Sequence, residues 1–226
     1  MCFDSDSLPP IPVISGAAVS HDDVVLSAAD GNQFAAFRAL PEEPAATGVV
    51  ILPDVRGLYR FYEELALRFA ERGYAAVAID YFGRTAGVAK RDEDFDYMPH
   101  VQQTKPDLVQ ADVGAAVRHL RGLDLAAIFT VGFYGFPTER NGAVGPAERA
   151  SEIESPILAL QAGADQNITK VENDAFEAAL SAAGVEHEIV VYDGAPHSFF
   201  DRKQEEFAEA SEDAWKRTLR FIERFG

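Results

Sequence analysis

Two residues in the second half of the chain have the types and the setting for acid–base chemistry. His197 lies in Tyr192-Asp193-Gly194-Ala195-Pro196-His197-Ser198-Phe199-Phe200-Asp201-Arg202. The run before it, Val185 to Tyr192, is rich in β-branched and aromatic residues and predicts a strand. Gly194 and Pro196 then mark a loop leaving the strand's carboxyl end, where open α/β sheets place their sites. Asp165, in Ala162-Gly163-Ala164-Asp165-Gln166-Asn167, follows the preceding strand in the same way. Two neighbouring strand ends would then present a carboxylate and an imidazole, the orienter and base of a nucleophilic triad. A histidine in such a loop otherwise does no more than hydrogen-bond nearby backbone.

The elements that must position this pair can be read from periodicity. Asp23 to Ser27 and Gln33 to Leu40 flank Asp30-Gly31, which supplies the positive φ of a tight turn, so they predict an antiparallel hairpin at one sheet edge. Gly48 to Leu52 and Tyr74 to Ile79 are short apolar strands joined by a helix over Phe61 to Arg72 that Gly73 stops, which implies a parallel pair. Thr104 and Pro106 open a second long helix with an apolar stripe from Val109 to Leu120. Leu125 to Phe133 reads as a further strand. From Gly135 to Pro156 no stripe is long enough for a crossover helix, and only a brief helical turn over Ala147 to Ile153 is predicted. Ile157 to Gln161 is a strand, Val171 to Ala183 a helix closed by Gly184, and Gln204 to Phe225 a terminal helix. The expected fold is α/β: a doubly wound, mostly parallel sheet with helices on both faces and an antiparallel N-terminal edge. Residues 1–226 are expected to form one domain, with 1–20 as an extended, Pro-rich segment.

Composition narrows the function classes. A chain of 226 residues with 47% apolar content can bury a full core. Its net charge of −17, from 37 acidic against 20 basic residues, argues against a nucleic-acid partner. No apolar run reaches the roughly 18 residues that suggest a membrane span, and the first ten residues lack the marks of an export signal, so the expected location is cytoplasmic. Five dispersed histidines and a single cysteine, Cys2, offer no metal-ligand cluster, and no cofactor is implied. Cys2, in the terminal segment, is a weak candidate for a catalytic thiol.

Four segments together carry a resemblance. They are Val49-Val50-Ile51-Leu52-Pro53-Asp54-Val55-Arg56-Gly57-Leu58; Gly73-Tyr74-Ala75-Ala76-Val77-Ala78-Ile79-Asp80-Tyr81-Phe82-Gly83-Arg84; Ala162-Gly163-Ala164-Asp165; and Tyr192 to Phe199. The chain resembles the dienelactone hydrolase family of α/β-hydrolases. The resemblance implies hydrolysis of a small ester or lactone, one that can itself bear a carboxylate, through an acyl-enzyme intermediate formed on a cysteine. It places the triad histidine at His197 and the aspartate at Asp165, and puts Asp54 where the family often has a glutamate linked to nucleophile activation. By the same resemblance Val55 donates its backbone N–H to an oxyanion hole. Arg84 and Arg202 become candidates to clamp a substrate carboxylate, with surface ion pairing as the plain alternative.

The departure from the family is as informative. There the nucleophile stands in a Gly-x-Cys-x-Gly-Gly elbow, but after Thr130-Val131-Gly132-Phe133 this chain continues Tyr134-Gly135-Phe136-Pro137. An elbow needs a small residue two positions on and a helix behind it, and Phe136 and Pro137 meet neither need. Tyr134 would fill the slot, but a phenol of pKa about 10 is a poor acyl carrier. A Phe-Tyr-Gly stretch in the family belongs to the next strand, as though a strand-helix passage had been skipped here. Either the passage is lost or the molecule carries residues that this sequence omits. If it is lost, the competing function is a non-catalytic binding or regulatory protein on a hydrolase scaffold.

Overall fold

A computed structural model describes residues 7–92, 94–123, 130–140 and 142–226. These gather into two compact units that divide between residues 127 and 128.

The N-terminal unit opens with β1 (Val19–Ser27) and β2 (Gln33–Pro41), antiparallel from Val19 opposite Pro41 to Ser27 opposite Gln33. Gly31 at φ 87° makes the turn between them, as the Asp-Gly pair predicts. Next come β3 (Gly48–Ile51), α1 (Arg60–Ala70) and β4 (Ala75–Ile79). The short helices α2 (Gly83–Ala86) and α3 (Met98–Val101) follow, and then α4 (Pro106–Arg121). The sheet order is β1-β2-β4-β3, with β3 and β4 parallel and β2 antiparallel to both β1 and β4. All five β4 residues are buried, which is why that strand reads as an unbroken apolar run rather than an alternation. One face of this sheet, through Leu26, Phe34, Ala36, Val77 and Ile79, packs on Ala115, Ala116 and Leu120 of α4. The other long helix, α1, lies against β2 and β4.

In the C-terminal unit β5 (Thr130–Phe133), β6 (Ile157–Ala162), α5 (Lys170–Ala183), β7 (His187–Tyr192) and α6 (Ala208–Phe225) follow in order. All three strands are parallel, in the order β5-β6-β7. Every residue of β6 is buried. Ile157 and Ala159 on one of its faces pack with Phe176 and Leu180 of α5, and with Ala150 of a 3-10 turn over Ala150–Glu152. Leu180 is fully enclosed, and Leu180→Ala would cost about 2 to 5 kcal/mol by loss of contacts and the cavity left behind. Helix α5 starts on a reciprocal cap, in which the Thr169 hydroxyl accepts from the Glu172 amide and the Glu172 carboxylate accepts from the Thr169 amide; it ends at Gly184 in the left-handed region.

The fold is therefore α/β, with parallel strands and an antiparallel N-terminal edge. Among the described residues the strands pair as β1-β2-β4-β3 in the N-terminal unit and β5-β6-β7 in the C-terminal unit. Residues 125–129 of the strand predicted over Leu125 to Phe133 fall outside the described residues, as does Cys2. The helices α2 and α3 were not predicted, being single turns without an apolar stripe.

Candidate active site

Both triad candidates stand on loops that leave the carboxyl ends of parallel strands in the C-terminal unit. The loop after β6 is fastened to the loop after β7 by two backbone bonds: the Gly163 amide donates to the Tyr192 carbonyl and the Ala164 amide to the Ala195 carbonyl, each at 2.9 Å. At Gly163 the chains come so close that a Cβ would sit 2.7 Å from the Tyr192 carbonyl oxygen, so only glycine fits. Asp165 then comes within 2.6 Å of His197, Oδ2 to Nδ1.

Asp165 is enclosed, its side chain 1% exposed, whereas that of His197 is 36% exposed. Burial by itself would raise the Asp165 pKa, but the Asn167 amide, donating to Oδ1 at 2.8 Å, and the His197 ring together hold it below the usual carboxylate value. An ionised Asp165 fixes the proton on Nδ1 and leaves the basic position to Nε2, which is the arrangement a general base requires.

The chain around His197 is strained on both sides in space. Ser198 has φ 70° and Tyr134, just beyond β5, has φ 35°. For residues with a Cβ such conformations cost about 1 to 3 kcal/mol each and persist only where the surroundings over-determine them. Ser198 is held because its carbonyl accepts from the amides of Asp201 and Lys203. Tyr134 is held because its amide donates to the Leu160 carbonyl at 2.8 Å, its ring packs on His197 and Phe199, and its hydroxyl donates to Asp201.

The remaining candidates fall as follows. In the C-terminal unit Arg202 has an exposed side chain and no ion pair among the described residues, and its amide donates to Asp201 Oδ1 at 2.9 Å. The other three lie in the N-terminal unit. Asp54 turns its carboxylate back onto the Arg56 amide at 3.0 Å, while its own amide donates to the Tyr62 hydroxyl at 2.8 Å. Val55 is exposed in that turn. Arg84 is committed to two carboxylates, Asp30 at 2.6 Å and Asp112 at 2.8 Å, which is the ion-pairing alternative to a substrate clamp. Asp80 also forms a structural pair, with Arg91 at 2.5 Å, both side chains almost fully enclosed. Burial pushes the Asp80 pKa up, against the pull of Arg91.

Sequence reasoning missed Asp201. It weighed Tyr134 only as a nucleophile and Arg202 as a clamp or a surface ion pair, and nothing in the spacing of Tyr134 and Asp201 announces their bond. Among the described residues no group of three or more His, Cys, Asp or Glu side chains could hold a metal ion, and no helix is long and apolar enough to cross a membrane.

The comparisons with known proteins agree with this fold. Among solved structures, a dienelactone hydrolase-like promiscuous phosphotriesterase from metagenomic libraries has a TM-score of 0.75 at 19% identity, covering 93% of this chain and 100% of that one. The Pf2001 esterase of Pyrococcus furiosus has a TM-score of 0.64 at 15% identity, covering 96% and 99% of the two chains. At such identities these similarities speak for an α/β-hydrolase fold. The profile of the dienelactone hydrolase family matches residues 34–127 and again 123–226, and the chain belongs to that family of ester and lactone hydrolases. A carboxymethylenebutenolidase of Rhodococcus opacus is 28% identical, covering 100% of this chain and 97% of that protein. That alignment extends over 253 residues against the 226 of this chain, and the family match breaks in two at 123–127. The alignment is thus longer than this chain, and the two family matches meet just before β5.

Proposed function

We propose that this protein hydrolyses a small ester or lactone, with His197 as general base and Asp165 as its orienter. The observation that carries the reading is the 2.6 Å bond between Asp165 and the Nδ1 of a part-exposed His197 at parallel strand ends. Nε2 would take the proton of the attacking nucleophile and return it to the leaving oxygen. In the acyl-enzyme route of the family resemblance the nucleophile is an elbow thiolate, which this chain lacks; without it, His197 activates water directly. Asp54 and Val55 enter only through the resemblance, as nucleophile-activating carboxylate and oxyanion donor. A carboxylated substrate would fall to Arg202 rather than to the committed Arg84. The single-domain reading of residues 1–226 rests on length and apolar content.

The missing elbow favours a second reading, a binding or regulatory protein that keeps the Asp165–His197 pair. Intact mass and burst kinetics separate the two. A mass about 2 to 3 kDa above the 24.6 kDa of the sequence, the weight of a 20- to 25-residue passage of ordinary composition, would restore the elbow. Such a protein should release a burst of p-nitrophenol from a p-nitrophenyl ester and lose it when the elbow cysteine is replaced. The 226-residue chain should give no burst, and Cys2→Ala should change nothing. Robust hydrolysis by the 226-residue chain with a covalent acyl adduct on Tyr134, seen by mass spectrometry, would overturn the assignment and make the phenol the nucleophile.

A further inference from the structure

We infer that Tyr134 and Asp201 are positioning residues for His197, holding the face of its imidazole as Asp165 holds its edge; this rests on reading His197 as the base. A hydrogen bond at Nδ1 fixes the edge of the ring, and a ring contact on its face adds a restraint on its plane. The Tyr134 ring lies 4.7 Å from the His197 ring, tilted by 53°. Tyr134 is itself pinned at both ends, by its amide on the Leu160 carbonyl and by its hydroxyl on Asp201. Asp201 is buried, with Oδ2 taking the Tyr134 hydroxyl and Oδ1 the Arg202 amide, so its carboxylate has a donor on each oxygen. It stands four residues after His197 in the same loop. The contacts therefore close a circuit from His197 through the strained Ser198 to Asp201, across to Tyr134, and back to the imidazole. The tie to Asp201 holds the phenol end of a residue whose backbone sits at φ 35°.

The Nδ1 proton of His197 in 15N-labelled protein reports on this directly, because a 2.6 Å bond to a carboxylate protects it from exchange with water. Tyr134→Phe keeps the ring and removes the tie, and Asp201→Asn removes the charge. Each should speed exchange of that proton by roughly threefold or more through local opening, while amide shifts far from the loop stay in place. Asp165→Asn should abolish the protected resonance, and Asp201→Glu should restore part of the protection lost in Asp201→Asn. Unchanged exchange in both Tyr134→Phe and Asp201→Asn overturns the inference. So does a change spread evenly over all amides of the C-terminal unit, which would mark both residues as ordinary core. Because the readout is a ring proton, a chain without esterase activity can still pass this test, and an active one can still fail it.

Discussion

The strand-end loops of the two units are built from the same residue types and put them to different uses. After β4, Asp80 is closed off by Arg91, and Arg84 is shared between Asp30 and Asp112. After β6 and β7, Asp165 meets a histidine whose other side is part-exposed. Burial pushes the Asp80 pKa up, whereas hydrogen bonds hold that of Asp165 down. A carboxylate at a strand end is thus marked for chemistry by its partner rather than by its position. A permanently charged guanidinium consumes it, and an imidazole leaves a proton to move.

The contrast breaks most visibly at His197. In a protein bearing the elbow, His197→Ala should lower turnover of a p-nitrophenyl ester by on the order of 10²- to 10⁴-fold, the usual contribution of a general base. Arg91→Met should leave that turnover within a few-fold. Steady-state kinetics that ranked the two the other way would erase the distinction between the loops. In stability the order reverses. Arg91→Met strands a buried carboxylate and should cost about 3 to 5 kcal/mol in urea unfolding, whereas His197 is part-exposed and its removal should cost far less.

Acid sharpens the comparison. Asp165, with its folded pKa depressed, contributes stability at pH values above about 4, lost as pH falls through the depressed value. Asp80, with its folded pKa raised, favours the folded state below about 4 and loses that contribution as pH rises through the raised value. Urea midpoints between pH 3 and 7 should therefore show a shallower acid decline in Asp165→Asn than in the parent; an identical decline would remove Asp165 from the account. The smallest expected effect is at Ser198. Ser198→Gly relieves a φ of 70° and should be neutral or stabilising by about 1 kcal/mol, seen as a small rise in Tm. A clear loss of stability would show that the serine side chain has a structural use of its own.

Much of this was legible before any coordinates. Asp30-Gly31 fixed the β1–β2 hairpin, because few residues besides glycine take φ 87° without strain. The helix expected over Val171 to Ala183 and its stop at Gly184 were legible, and Asp165 and His197 followed from the strands that precede them. What was not legible depends on three-dimensional neighbours. Arg84 reads equally as clamp or ion pair until Asp112, 28 positions away, is seen at 2.8 Å. The bond from Tyr134 to Asp201 spans 67 positions and has no periodic signature. Helices α2 and α3 are four residues each, too short to show a stripe.

The close pass of Gly163 against Tyr192 also bears on how this site can be altered by evolution or in the laboratory. With no room for a Cβ and two backbone bonds across the gap, the Asp165 and His197 loops should tolerate substitution only as a set. Libraries that randomise 163 and 164 will return mostly wild-type glycine at the first. Useful diversity lies outward, at positions such as Gln166 and Arg202, whose exposed side chains can change without prising the two loops apart.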